Sequence, residues 1–274
     1  MSMNRRQALT RIIGISTAAA GATLVGTSAF AATDENGQYQ LEMGEKLKYV
    51  PLDAMATAKL AYETSGGCMR QVFHSVITML AQSASVDADK FKTIPTALTA
   101  YGGGGIASQG TICGNLNGIG MLVNILDDIN DQNSAIIANA FRYYEKTPLP
   151  YADDAFLTGI ATTAEKSVAA GKTSISNSVL CHSSISNWSR ASNLPFAKKG
   201  ERCLRLSASM TYYIVDLLNR AYKGEDISAL VATKPSGETQ ACQSCHGASG
   251  TIDEQAASVK TDMECTTCHT GHFN

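Results

Sequence analysis

The most specific chemistry in the chain lies near its C-terminus. Cys242-Gln-Ser-Cys245-His246 and Cys265-Thr-Thr-Cys268-His269 are two copies of C-x-x-C-H. Two thiols three positions apart can both bond the vinyl groups of one porphyrin, while the adjacent imidazole turns onto the iron. The pattern predicts two covalent c-type haems on Cys242, Cys245, Cys265 and Cys268, with His246 and His269 as proximal ligands. Two C-x-x-C pairs this close together also suit tetrahedral zinc, but zinc held by four thiolates does not call for a His after each pair.

Distal ligands come from the other histidines. His272 is too close to His269 to cross to the far face of the same haem. It can reach a different haem, in the same tail or in a second subunit. His182 follows Cys181 in a Ser-rich stretch and is the other distal candidate. His74 stands off the apolar stripe around it and reads as a surface or interface residue. Met263 carries a thioether but reads as packing.

Four cysteines lie outside these motifs: Cys68, Cys113, Cys181 and Cys203. They are too far apart in sequence for a local metal knuckle. Four convergent thiolates are the ligand set of a [2Fe–2S] or other iron–sulfur cluster. Two disulfides, or plain buried thiols, use the same residues. Cys113 enters a helix through Gly-rich sequence, and a positive helix end there favours thiolate.

The N-terminus bears on the choice. Arg5 and Arg6 precede a weakly apolar stretch from Ile12 to Phe30, and Ala29-Phe30-Ala31 supplies a small-x-small cleavage site. Residues 1–31 therefore read as a twin-arginine-like signal peptide, which predicts a soluble periplasmic protein beginning near Ala32. That route carries folded proteins and suits a cofactor inserted before export. Loss of Arg5, Arg6 and Arg11, with no acid among residues 1–31, would take the formal charge from -2 to -5. A chain this acidic has no field to attract nucleic acid. Beyond the signal no segment has the length and apolarity of a membrane span.

These residues must be held by the rest of the 274-residue chain. Its periodicity is helical and predicts an all-α fold. Helices are expected from Asp53 to about Glu63, Cys68 to Leu80, Ser108 to Asp128, Ser134 to Tyr144 and Glu201 to Tyr222, with a weaker signal between Thr173 and Asn193. Cys68, Val72, Val76 and Leu80 share one stripe, and Cys203, Leu206, Met210, Ile214 and Leu217 another. Residues 32–52 read as a lead-in and 53–232 as a bundle-like helical domain with the four-cysteine site. Residues 233–274 read as a short, loop-rich dihaem segment, too polar to fold without a cofactor as its core.

Together these features resemble a known family. Gly67-Cys68, Gly110-Thr-Ile-Cys113-Gly114 with Gly118, Leu180-Cys181-His182 with Ser186 and Trp188, and Glu201-Arg202-Cys203 are similar to the Cys-GCAxxG-Cys-Cys redox-active proteins. With two C-terminal haem motifs added, the chain resembles the split-Soret cytochrome c family. The resemblance covers roughly Asp53 to the C-terminus. It implies a helical cysteine domain with a terminal dihaem segment and an iron–sulfur centre on Cys68, Cys113, Cys181 and Cys203. It also implies a homodimer with clustered haems and bis-His ligation partly across subunits.

The function expected is electron transfer between redox partner proteins, since haems with both axial positions filled offer no site for substrate. A reductase or oxidase acting on a small molecule at a haem or at the cluster is the alternative. No nucleophile motif supports a hydrolase. The glycines at 102–105 lack the Lys-Ser/Thr of a phosphate loop.

Overall fold

The computed structural model describes residues 41–230, 234–247, 250 and 262–269. Residues 1–31, read above as a signal peptide, and His272 lie outside these residues. The first helix, α1 (Ala54–Glu63), begins where Asp53 accepts a hydrogen bond from the Ala56 amide at 2.9 Å. Gly66 and Gly67, both at positive φ, then turn the chain into α2 (Cys68–Ala81). The glycine is required at 67, because a Cβ there would stand 3.0 Å from the Gly103 backbone. A short α3 (Ala88–Lys92) and a 3₁₀ turn (Thr96–Gly102) lead to α4 (Gly114–Ile125) and α5 (Asn133–Lys146). After α6 (Asp154–Gly159) and α7 (Ala164–Ala169) come α8 (Cys181–Ser192) and the longest helix, α9 (Lys199–Tyr222). Helix α10 (Gly237–His246) carries the first haem motif.

The fold is all-α, as the periodicity predicts. Among the described residues β pairing is confined to isolated bridges, including Leu47 with Leu126 and Ile112 with Leu180. Helix α9 packs against α1, α2 and α5, and α2 packs against α4. The two predicted stripes face the core: Val72, Val76 and Leu80 are fully buried, as are Met210, Ile214 and Leu217. Leu47 and Tyr49, within the stretch read as a lead-in, are also core residues. No described helix is long and apolar enough to cross a membrane.

Two helix expectations are corrected. The helix expected from Ser108 starts instead at Gly114. Ile106, Ala107 and Ser108 adopt left-handed φ, and the backbone near Ile112 pairs with Leu180 before any helix forms. At its other end Leu126 is extended and bridges to Leu47. The weak Thr173–Asn193 signal resolves into α8, which buries Ser184, Ile185 and Trp188 and stops at Asn193, left-handed at φ 53°. The small helices α6 and α7 were not expected. Their caps, Asp153 and Thr163, were the available signal.

Candidate functional site

Backbone pairing assembles the first part of the site. The Cys113 amide donates to the Val179 carbonyl at 3.0 Å, and the Cys181 amide donates to Thr111 at 2.8 Å. This short antiparallel contact sets Cys113 beside Cys181, although 68 positions separate them. Cys68 arrives by close helix packing. A Cβ on Gly114 would lie 2.5 Å from Cys68 Sγ and 2.4 Å from the Gly102 carbonyl, so the residue after Cys113 must be glycine. Cys203 comes with α9, where the Ser207 hydroxyl reaches Gln71 on α2 at 2.7 Å and Asn115 on α4 at 2.8 Å.

All four cysteines line one open cleft of about 950 Å³. Three stand at helix starts: Cys68 opens α2, Cys113 caps α4 and Cys181 opens α8. The positive ends of three helices thus converge on the thiols, which favours negative charge there. The lining also contains His182, Arg190, Lys199 and Arg202 and no carboxylate. Arg202 is 2 % exposed.

The thiols themselves are coupled. Hydrogen bonding to Cys181, and behind it burial, push the Cys113 thiol up to about 12, while a hydrogen bond from Cys68 works the other way. Cys68 is raised well above an ordinary thiol by its hydrogen bond to Cys113 and by burial. Cys181 is lowered, chiefly by the hydrogen bond from Cys113. Tyr144, buried on α5, places its phenol near Cys113 and Ser184.

None of the eight cysteines is in a disulfide. Among the described residues no three His, Cys, Asp or Glu side chains close around a point where one metal ion would sit. Four thiols lining one cleft are a donor set of the kind that iron–sulfur centres use. The orphaned charge of Arg202 and the converging helix dipoles fit an anionic centre of that kind.

The haem motifs are built differently. Cys242, Cys245 and His246 ride on the last turn of α10, whose start is capped by Ser236. The second motif forms a helical turn, with the His269 amide donating to Cys265 at 2.9 Å. Cys245, Cys268 and His269 are exposed, which suits a macrocycle attached on the outside of the tail. Burial, and behind it the neighbouring Cys242 thiol, raise the Cys265 thiol, so the leading cysteines of the two motifs stand side by side.

Glu264 pins the two motifs to each other and to the helical body. Its carboxylate accepts from the Ser236 amide at 2.8 Å, the Ser236 hydroxyl at 2.6 Å and the Thr239 hydroxyl at 2.6 Å. It also pairs with Arg142 at 3.1 Å and Lys146 at 2.9 Å on α5. Burial alone would raise Glu264, but hydrogen bonds from Ser236, Thr239 and Lys146 outweigh it and hold the group at about 2. Thr239 in turn accepts from the Cys265 amide at 3.0 Å.

Each remaining candidate has a place. His182 opens onto the four-cysteine cleft. His74 is hydrogen-bonded to Thr96 at 2.7 Å, and Met263 packs against the core. The sequence reading missed Tyr144, Asn115 and Glu264 as site residues. It noted Arg202 only as part of a pattern. Adjacency to Cys113, Cys203 and Cys265 was a signal for some of them, but Tyr144 had none.

Comparison with known proteins agrees with this architecture. The chain is 29% identical over 227 residues to split-Soret cytochrome c of Desulfovibrio desulfuricans (strain ATCC 27774 / DSM 6949 / MB). That alignment takes in 80% of this chain and 76% of the relative. The solved structure of split-Soret cytochrome c from Desulfovibrio desulfuricans ATCC 27774, described as having a novel iron centre, superposes with a TM-score of 0.65 at 26% identity. The superposition covers 82% of this chain and 91% of that one. No protein-family model matches the chain. The similarity to split-Soret cytochrome c expected from the cysteine pattern and paired haem motifs is thus found in both sequence and fold.

Proposed function

We propose that this chain is an exported dihaem c-type cytochrome that carries electrons between redox partners through two covalent haems and an iron–sulfur centre. The observation that carries the reading is the meeting of Cys68, Cys113, Cys181 and Cys203, dispersed over the sequence, in one cleft faced by three helix starts. The haems are assigned to Cys242 and Cys245 with His246, and to Cys265 and Cys268 with His269. Similarity to a cytochrome c with a novel iron centre supports both assignments.

When bound, such groups supply one-electron chemistry at iron. The chain's own part is positioning. Gly114 lets α4 approach Cys68, and the pairing at Ile112 and Leu180 fixes Cys113 against Cys181. Glu264 holds the two haem motifs together on α5. The polar tail cannot cover two large apolar macrocycles alone, so we assign them to a homodimer interface where they cover each other. His272 and His182 are proposed as distal ligands. Because His182 opens onto the cleft, it serves a haem only where one is brought to the cleft mouth, as across subunits.

The test is non-haem iron and acid-labile sulfide measured on anaerobically purified protein, with electron paramagnetic resonance of the reduced form. A cluster signal distinct from the haems is expected. Haem iron alone, or four cysteines paired as disulfides in fresh anaerobic protein, would overturn the iron–sulfur assignment. A second reading, a redox enzyme, draws on the open cleft with His182, Arg190 and Lys199 in its lining, which could admit a small anion. Low-spin haem spectra unchanged by carbon monoxide in both redox states favour the carrier.

A further inference from the structure

Among the described residues three arginines, Arg142, Arg202 and Arg205, are almost fully buried, and they differ in what neutralises them. Arg142 pairs with Glu145 and Glu264, and Arg205 lies 3.9 Å from Glu201. Arg202 has no carboxylate partner among the described residues. Its Nη2 donates to the Ser184 hydroxyl at 2.6 Å, Nη1 lies 3.9 Å from Cys203 Sγ, and Nε has no partner. The neighbouring Arg205 is a second cation and adds repulsion. A guanidinium taken out of water without a counter-ion costs free energy that a hydroxyl does not return.

Among the described residues, the cleft is where a negative charge can face Arg202. Arg202 lines the same cleft as Cys68, Cys113, Cys181 and Cys203. Asn115, fully buried on the same lining, adds an amide whose Nδ2 has no partner. We propose that Arg202 is the built-in counter-cation of the four-cysteine centre, with Asn115 as a neutral supporting donor, and that Arg202 raises the centre's reduction potential. The inference rests on the iron–sulfur reading above. Reduction adds one electron: a haem iron goes from ferrous to ferric, one centre iron goes from ferric to ferrous, and no bond forms or breaks. The added negative charge is stabilised by a fixed cation that cannot lose its proton.

The experiment is a redox titration of the centre's paramagnetic signal in wild type, R202Q, R202K and N115A, all with both haems attached. In R202Q, reduction of the centre should become about tenfold less favourable, a fall of about 59 mV for one electron. R202K should restore most of it, and N115A should shift it less and in the same direction. Thermal unfolding separates this role from a structural one. In iron-depleted, thiol-reduced protein R202Q should be at least as stable as wild type, because a lone buried charge is gone, while the loaded variant should lose iron faster. Complete loss of the centre in R202Q with retention in R202K also supports the proposal. Loss in both, an unmoved potential in R202Q, or equal destabilisation with and without iron overturns it. Absence of labile sulfide and non-haem iron in wild type would instead overturn the parent reading.

Discussion

The four-cysteine cleft and the tail with the paired C-x-x-C-H motifs bring their cysteines together by opposite means. The cleft draws its thiols from α2, the cap of α4, α8 and α9, so its geometry belongs to the packed core. The tail carries its motifs on two five-residue runs and is fixed to the body around one buried carboxylate, Glu264, with Arg142 also donating to the Asp262 carbonyl and Met263 packed on the core. A site assembled by packing depends on glycines and helix ends far apart in sequence. A site carried by a local motif depends on the motif and on its tether.

Removing the thiols should separate the two regions most sharply. Cys242→Ser with Cys245→Ser should lower covalent haem from two per chain to one, read by pyridine haemochrome and intact mass. The Cys265 and Cys268 pair should remove the other. Neither double variant should change the non-haem iron content. Cys203→Ser should do the reverse, abolishing the cluster signal while both haems stay attached.

The tether offers a subtler cut. Glu264→Ala leaves Arg142 with one carboxylate fewer and removes the bonds to Ser236 and Thr239, a loss on the order of 3 kcal/mol for breaking a buried pair. The helical domain should keep its circular dichroism, while proteolysis between residues 230 and 262 should quicken. The pH dependence follows from the same group. Glu264 is held at about 2, below its unfolded value, so its stabilisation is complete above that unfolded value. It is lost as pH falls toward 2, so the tail should stay docked at pH 5 and loosen progressively as pH falls from about 4 toward 2.

Glycines provide the smallest and most local contrast. Gly114→Ala forces a Cβ against Cys68 Sγ and the Gly102 carbonyl, and should cost the iron centre without touching either haem. Gly120→Ala, in the same helix with open space around it, should leave the centre intact and stabilise α4 by about 0.5–1 kcal/mol. Equal effects from the two would mean that close approach at Cys68 does not define the cleft.

Much of this was legible in the sequence, for physical reasons that differ by region. The C-x-x-C-H runs declare themselves because haem attachment needs thiols and imidazole at fixed short spacing. The stripes at Val72–Leu80 and Leu206–Leu217 declare their helices because burial repeats with the helical period. The start of α4 was not legible, since left-handed residues at 106–108 and the Ile112–Leu180 pairing are set by tertiary contact. That Cys113 and Cys181 adjoin follows from the same pairing, which no local pattern encodes. Tyr144 reaches the site only through helix packing. Arg202 was visible beside Cys203, but its lack of a partner is a property of the folded chain.

Iron-edge anomalous diffraction from crystals of the mature, anaerobically prepared protein tests the central claim most directly. Two peaks should lie at the haems on His246 and His269, and a further peak should lie in the cleft enclosed by Cys68, Cys113, Cys181 and Cys203. An empty cleft, with those four sulfurs joined as disulfides or left as free thiols in fully loaded protein, would contradict the account.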